Sequence, residues 1–141
     1  MAKPITITGD KKLAAQFRKM ADQATVNRVR KVLVYAGGIV ADRAQGSIMA
    51  NSVSGKRHVA SKPGDPPNND TGILHGNIEV TEPSPLVVEV RSEAPYSAAL
   101  EFGTSKIEAR PFMGPAAIET KGEVVDAINQ AIKAEIRRAT Q

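Results

Sequence analysis

The stretch YSAALEFGTSKIEARPFMGPA, residues 96–116, decides how the second half of this chain is read. Tyr96 and Phe102 close an expected strand over Pro95–Phe102, and Gly103-Thr104-Ser105 then permits a turn with positive φ and side-chain-to-backbone hydrogen bonds. Arg110-Pro111-Phe112 opens a helix, since proline fixes φ and Phe112 supplies an aromatic anchor. Proline is tolerated only in a first helical turn, so Pro111 and Pro115 place the start of the regular helix close to Pro115. From there Ile118, Val125, Ile128, Ile132 and Ile136 recur at helical spacing, and Arg137-Arg138 sits at the negative end of the dipole, giving a helix over about 115–139. Glu101 and Arg110 lie on opposite sides of the corner and are expected to pair across it.

Upstream, Ile73–Thr81 carries Ile78 and Val80 on one side, and Leu86–Arg91 alternates with Glu89 and Arg91 outward. The proline-stiffened link Glu82-Pro83-Ser84-Pro85 is short, as between antiparallel neighbours. With Pro95–Phe102 these form an antiparallel meander of three to four strands within about 73–102, followed by the corner at 103–115. Before them, residues 51–71 (NSVSGKRHVASKPGDPPNNDT) hold three prolines and two glycines and almost nothing apolar, so a long mobile loop is expected. Lys56, Arg57, His58 and Lys62 make it a basic arm, and loops of such length are usually functional or disordered.

The first third is helical. Leu13, Phe17, Met20 and Ala24 fall on one helix face, and after a phase slip near Thr25–Asn27 a second stripe runs Val29, Leu33, Ala36, Val40, Ala44, Ile48. Two helices, about 10–22 and 25–50, or one bent helix, follow. Gly37-Gly38 interrupts that stripe at a cost of about 1 kcal/mol per glycine relative to alanine, which points to close approach of another backbone or to a kink. Ile5 and Ile7 alternate with Thr6 and Thr8 as in a short strand ended by Gly9-Asp10. The whole reads as one α+β domain over 1–141: a meander packed with a long N-terminal helix, or bent pair, and a C-terminal helix.

Composition bounds what such a domain does. The chain has 141 residues with 41% apolar and 24% charged residues, and no Cys or Trp. Disulfide scaffolds, thiolate metal sites and cysteine nucleophiles are thereby excluded. No apolar run approaches the roughly 20 residues that span a bilayer, and residues 1–10 lack an export signal, so a soluble domain in a reducing compartment, with no membrane partner, is expected. The net charge of +4 divides unevenly: residues 1–62 carry 12 Lys/Arg against 3 Asp, a balance of +9, and the remainder 7 against 12, a balance of −5. This asymmetry suits a basic face for a polyanion, or a basic surface that meets an acidic one on another copy, or simply a solvated basic helix. Aromatic residues are too few for a stacking platform, so a polyanion would be met through phosphate and without sequence specificity.

Catalytic machinery is hard to assemble. His58 falls in the loop and His75 in an expected strand, without metal-ligand spacing. Gly55-Lys56 invites a phosphate-loop reading, but Ala50 stands where the first glycine belongs and Arg57 where Ser or Thr would bind magnesium. Glu79 and Glu89 on adjacent strands are ordinary edge charges. No enzyme is expected, with no catalytic, cofactor-binding or metal-binding residues and no cofactor. A small hydrolase using His75 or a carboxylate pair, and a duplex-DNA-binding module without sequence specificity, are the competing classes.

The string Tyr-x(4)-Glu-Phe-Gly-Thr-Ser-Lys-x(3)-Arg-Pro-Phe-x(2)-Pro-Ala, carried here by Tyr96, Glu101, Phe102, Gly103, Thr104, Arg110, Pro111, Phe112 and Pro115, resembles the signature of tail-completion, or head–tail joining, proteins of long-tailed double-stranded-DNA bacteriophages. Thr71-Gly72-Ile73-Leu74 is similar to that family's Thr-Gly-x-Leu element opening the first meander strand, although His75-Gly76 follows where the family often has a bulky or basic residue. The resemblance implies a structural virion protein of the neck or tail end, a tail terminator or head–tail connector, assembled in the host cytoplasm. It also implies a homo-oligomeric ring, often of six, around the DNA channel, with other neck and tail proteins and packaged DNA as partners. Lys56, Arg57 and Lys62 are the candidate residues for the DNA channel or for partner docking, ahead of the helix group Arg28, Arg30 and Lys31.

Overall fold

The computed structural model describes residues 10–141, so the expected strand at Ile5 and Ile7 lies outside the described residues. Helix α1 (Asp10–Met20) is followed within two residues by α2 (Gln23–Met49), so the first third is two helices, with the break at 21–22 just ahead of the phase slip near Thr25–Asn27. Asp22 makes the break orderly: its backbone is extended and its carboxylate accepts the Thr25 N–H at 2.6 Å, capping α2. The segment 50–72 contains one 3-10 turn at Gly55–Arg57. A single helical turn, α3 (Ile73–Gly76), leads into the hairpin β1 (Ile78–Ser84) and β2 (Val87–Ser92), then α4 (Ser97–Phe102) and the long α5 (Met113–Thr140).

The fold class is α+β, but the sheet has two strands where three to four were expected. Two corrections account for this. The segment read as strand over Pro95–Phe102 is helix α4, because Ala98, Ala99, Leu100 and Glu101 are strong helix formers and the Ala94 carbonyl accepts the Ser97 N–H at its entry. The start of Ile73–Thr81 is helical too: Gly72 at φ 82° turns the chain into α3, which buries Leu74 before the strand begins at Ile78. The link also sits later than Glu82-Pro83-Ser84-Pro85. Ser84 still pairs with Val87, so the turn is Pro85-Leu86, with Leu86 at φ 62° in a region a branched side chain seldom adopts.

The core lies where α2, the hairpin, α3 and the start of α5 converge. Ala41, Ala44, Ile48, Leu74, Ile78, Ala94, Phe112 and Ala116 are buried together, with Val40, Val80, Val90, Leu100 and Met113 packed around them. Half of the buried eight are alanines, and Ala41, Ala44 and Ala116 let α2 and α5 approach closely. Gly37 marks a second close approach, of α2 to the hairpin: a Cβ there would sit 2.8 Å from Val88 Cγ1 and 2.9 Å from Val80 Cγ1, so the hairpin's valines lie directly on the helix backbone. The close approach read from Gly37-Gly38 is therefore real, though side chains make it; Gly38 faces open space. Glu79 stands opposite Arg91 and Glu89 opposite Thr81, so the two carboxylates do not face each other across the sheet.

Candidate assembly surface

The corner between α4 and α5 is organised by Glu101. Helix α5 starts with no capping side chain of its own, since Phe112 occupies the N-cap position. Its first N–H groups would lack acceptors. Glu101 supplies them from α4: Oε2 accepts from the N–H of Phe112 at 2.8 Å and of Met113 at 3.0 Å, and Oε1 accepts from Gly114 at 2.8 Å. The carboxylate also lies at the positive end of the helix dipole. A Cβ on Gly114 would come within 3.0 Å of Glu101 Oε1, so that glycine leaves room for the clamp. Phe112, 1% exposed, then anchors the helix in the core as expected.

The turn itself behaves as its residues dictate. Gly103 has φ 73°, and a Cβ there would meet the Ala109 nitrogen at 2.9 Å, so both conformation and space demand glycine. Thr104 Oγ1 accepts from the N–H of Lys106 at 3.1 Å and Ile107 at 3.2 Å, while the Thr104 N–H donates to the Ile107 carbonyl. Glu101 and Arg110 do not pair as expected, because Glu101 is committed to α5. Arg110 instead donates through Nε to the Ser61 carbonyl at 3.1 Å.

That last bond ties the basic loop to the corner, a contact no sequence signal announces. Gly64 donates to the Ala109 carbonyl at 2.9 Å, and the buried Asn69 donates its N–H to Ser52 Oγ and the Ile48 carbonyl at the end of α2. The Asn68 side chain donates to the Val59 carbonyl at 2.8 Å, and Asp70 accepts from the Gly55 N–H at 3.1 Å. Between loop and corner lies a cavity of about 270 Å³ lined in part by His58, Ser61, Asn69, Tyr96 and Arg110. Lys56 and Arg57, on the 3-10 turn, and Lys62 are exposed, and among the described residues none of the three forms an ion pair. His75, expected in a strand, sits half-buried in α3, and its carbonyl accepts from Gln45 Nε2 at 3.3 Å.

The helix arginines are differently placed. Arg28 Nη2 meets Glu135 Oε2 of α5 at 2.8 Å, Arg138 reaches the same carboxylate, Arg30 Nη2 meets Glu82 Oε2 of β1 at 2.7 Å, and Arg43 meets Glu119 of α5. The hydrogen bond from Arg28 holds Glu135 below the usual carboxylate range against the opposing effect of burial, and the hydrogen bond from Arg30 does the same for Glu82. Both guanidinium groups are correspondingly raised, and the Thr25 N–H lowers Asp22. Part of the +9 and −5 asymmetry is thus satisfied within one chain, α2 against α5 and β1.

Apolar side chains remain outside in number. Phe102, at the corner, is 82% exposed, Phe17 60% and Tyr35 64%, and Tyr96, Ile107 and Val59 are exposed as well. The surface of the chain is 9984 Å², against about 7,000 Å² for a compact monomer of this mass.

The anchored corner, the unburied apolar surface and the α+β frame suit a structural subunit. More particularly, the chain is a member of the bacteriophage family described as "Bacteriophage HK97-gp10, putative tail-component", whose model matches residues 11–103. The match takes in α1, α2, the basic loop, the hairpin and α4, and includes Tyr96, Glu101, Phe102 and Gly103 of the corner. No curated protein and no solved structure matches the chain significantly. The protein is therefore a phage tail component with a structural role, and its place is among other tail proteins of the virion.

Proposed function

We propose that the protein completes the tail or joins it to the DNA-filled head, as a ring of identical subunits around the DNA channel in the neck of the virion. The observation that carries this reading is the division of the basic residues. Arg28, Arg30 and Arg43 are engaged by acids of the same chain, whereas Lys56, Arg57 and Lys62 project from a loop tied to the corner by Arg110. Unpaired charges at a held position suit weak, exchangeable contacts with phosphate, under which DNA still slides. The excess surface supports repeated contacts between copies, and the exposed Phe102 at the corner supports an apolar anchor in such a contact.

The test is the salt dependence of duplex-DNA binding by the purified protein and by a variant with Lys56, Arg57 and Lys62 all replaced by alanine. With three phosphate contacts removed per subunit, the slope of log affinity against log salt falls by about 3, with no change in sequence preference. An unchanged slope moves the trio from DNA to a protein partner and removes the channel assignment. Retention of tight binding by a stable monomer favours the duplex-DNA-binding module instead.

A further inference from the structure

Helix α5 has two apolar faces, and the chain uses one. Ala116, Thr120, Glu135 and the half-buried Val124, Ala127, Ala131 and Ala134 face the protein, with Glu135 held by Arg28. On the opposite side Ile118, Val125, Ile132 and Ile136 are 77%, 44%, 44% and 42% exposed, with Gly122 and Asn129, also exposed, between them. At 3.6 residues per turn all six fall within about 80° of arc, spaced alternately four and three apart along the helix. That is the seam of a coiled coil, and its apolar residues are all exposed in the single chain.

We infer that this face of α5 is a self-association surface that takes the same face of a second copy, antiparallel, about a two-fold axis. Charge sets the direction. Exposed Glu119, Glu123 and Asp126 leave the first half of the helix acidic despite Lys121, with Glu119 also meeting Arg43 of α2, and exposed Lys133 and Arg137 make the second half basic. A parallel pair sets like against like, while an antiparallel pair sets each acidic half against the other copy's basic half. Shape agrees with charge. Placing Ile118 opposite Ile136 of the partner subunit brings Gly122 opposite Ile132 of the partner subunit and Val125 opposite Asn129 of the partner subunit. The space above Gly122, where a Cβ meets no atom within 4 Å, receives the larger side chain. An isologous contact of this kind closes at two copies and is distinct from the head-to-tail contacts of a ring, so either stands without the other.

The chain has no cysteine, which makes engineered cross-linking clean. Full-length Ile118→Cys and Ile136→Cys variants are oxidised with copper phenanthroline, separately and mixed. The mixture yields covalent dimers holding one chain of each kind, while each variant alone does not cross-link, because identical positions lie about 27 Å apart in the antiparallel pair and a disulfide spans less than about 7 Å between Cα atoms. In sedimentation equilibrium, Ile132→Asp weakens the dimer at least tenfold with unchanged helical circular dichroism. Cross-linking of each variant with itself, absence of cross-links in the mixture, or a wild-type chain that stays monomeric at 100 µM overturns the inference.

Discussion

Glu101 shows how one side chain sets the relation between two helices. Because it reaches from α4 to three N–H groups of α5, its loss leaves those donors without a charged acceptor. Glu101→Ala is expected to lower stability by about 2 kcal/mol in urea unfolding, and Glu101→Gln by less, since the amide oxygen retains part of the cap. Gly37 and Gly38 give a sharper contrast. Gly37→Ala drives a methyl into stiff valine side chains at 2.8 and 2.9 Å and is expected to cost about 1–3 kcal/mol. Gly38→Ala meets nothing and is expected to gain about 0.5–1 kcal/mol from helix propensity. Equal effects at the two positions in thermal melts contradict this packing. The sequence marks both glycines alike; only the position of the hairpin separates them.

Among the elements, those with a long apolar period were legible. The stripes ending at Ala24 and Ile48 place α1 and α2 to within two residues, and Ile118–Ile136 does nearly the same for α5. Short elements were not. Tyr96–Phe102 offers aromatic ends and an Ala-Ala-Leu-Glu centre, and the helix wins because the turn after Ala94 satisfies its entry. The clamp by Glu101 was missed because a carboxylate six residues after Pro95 and eleven before Phe112 carries no local capping spacing, although the absence of an N-cap residue before α5 called for an outside acceptor. Loop anchoring through Arg110 and Asn69 depends wholly on tertiary placement. The ion pairs joining α2 to α5 and β1 impose a pH dependence. Glu135, Glu82 and Asp22 are held below their ordinary values, so their contribution is full above the usual carboxylate range, near pH 4–5, and is lost as pH falls through the lowered folded values. Glu135→Gln should therefore be less stable than wild type by a constant amount above about pH 6, with the gap shrinking toward pH 3. A gap that widens on acidification contradicts the pairing with Arg28.

At the scale of the molecule, the surface left over after folding is the main clue to what the chain does. Its core is built from alanines and a few larger residues, while Phe17, Tyr35, Phe102 and Ile118 stay outside. A monomeric domain gains nothing from that distribution; a subunit packed among other tail proteins buries it. Family membership fixes the setting as a phage tail, and the loop, corner and exposed seam describe how the subunit would be held there. The most direct measurement is joining itself: the purified chain is added to separated heads and tails from a phage lacking it, and joined particles are counted by electron microscopy. Joined, infectious particles with a ring of the added protein at the neck are predicted. Heads and tails that stay apart in its presence, or that join equally well in its absence, contradict the account.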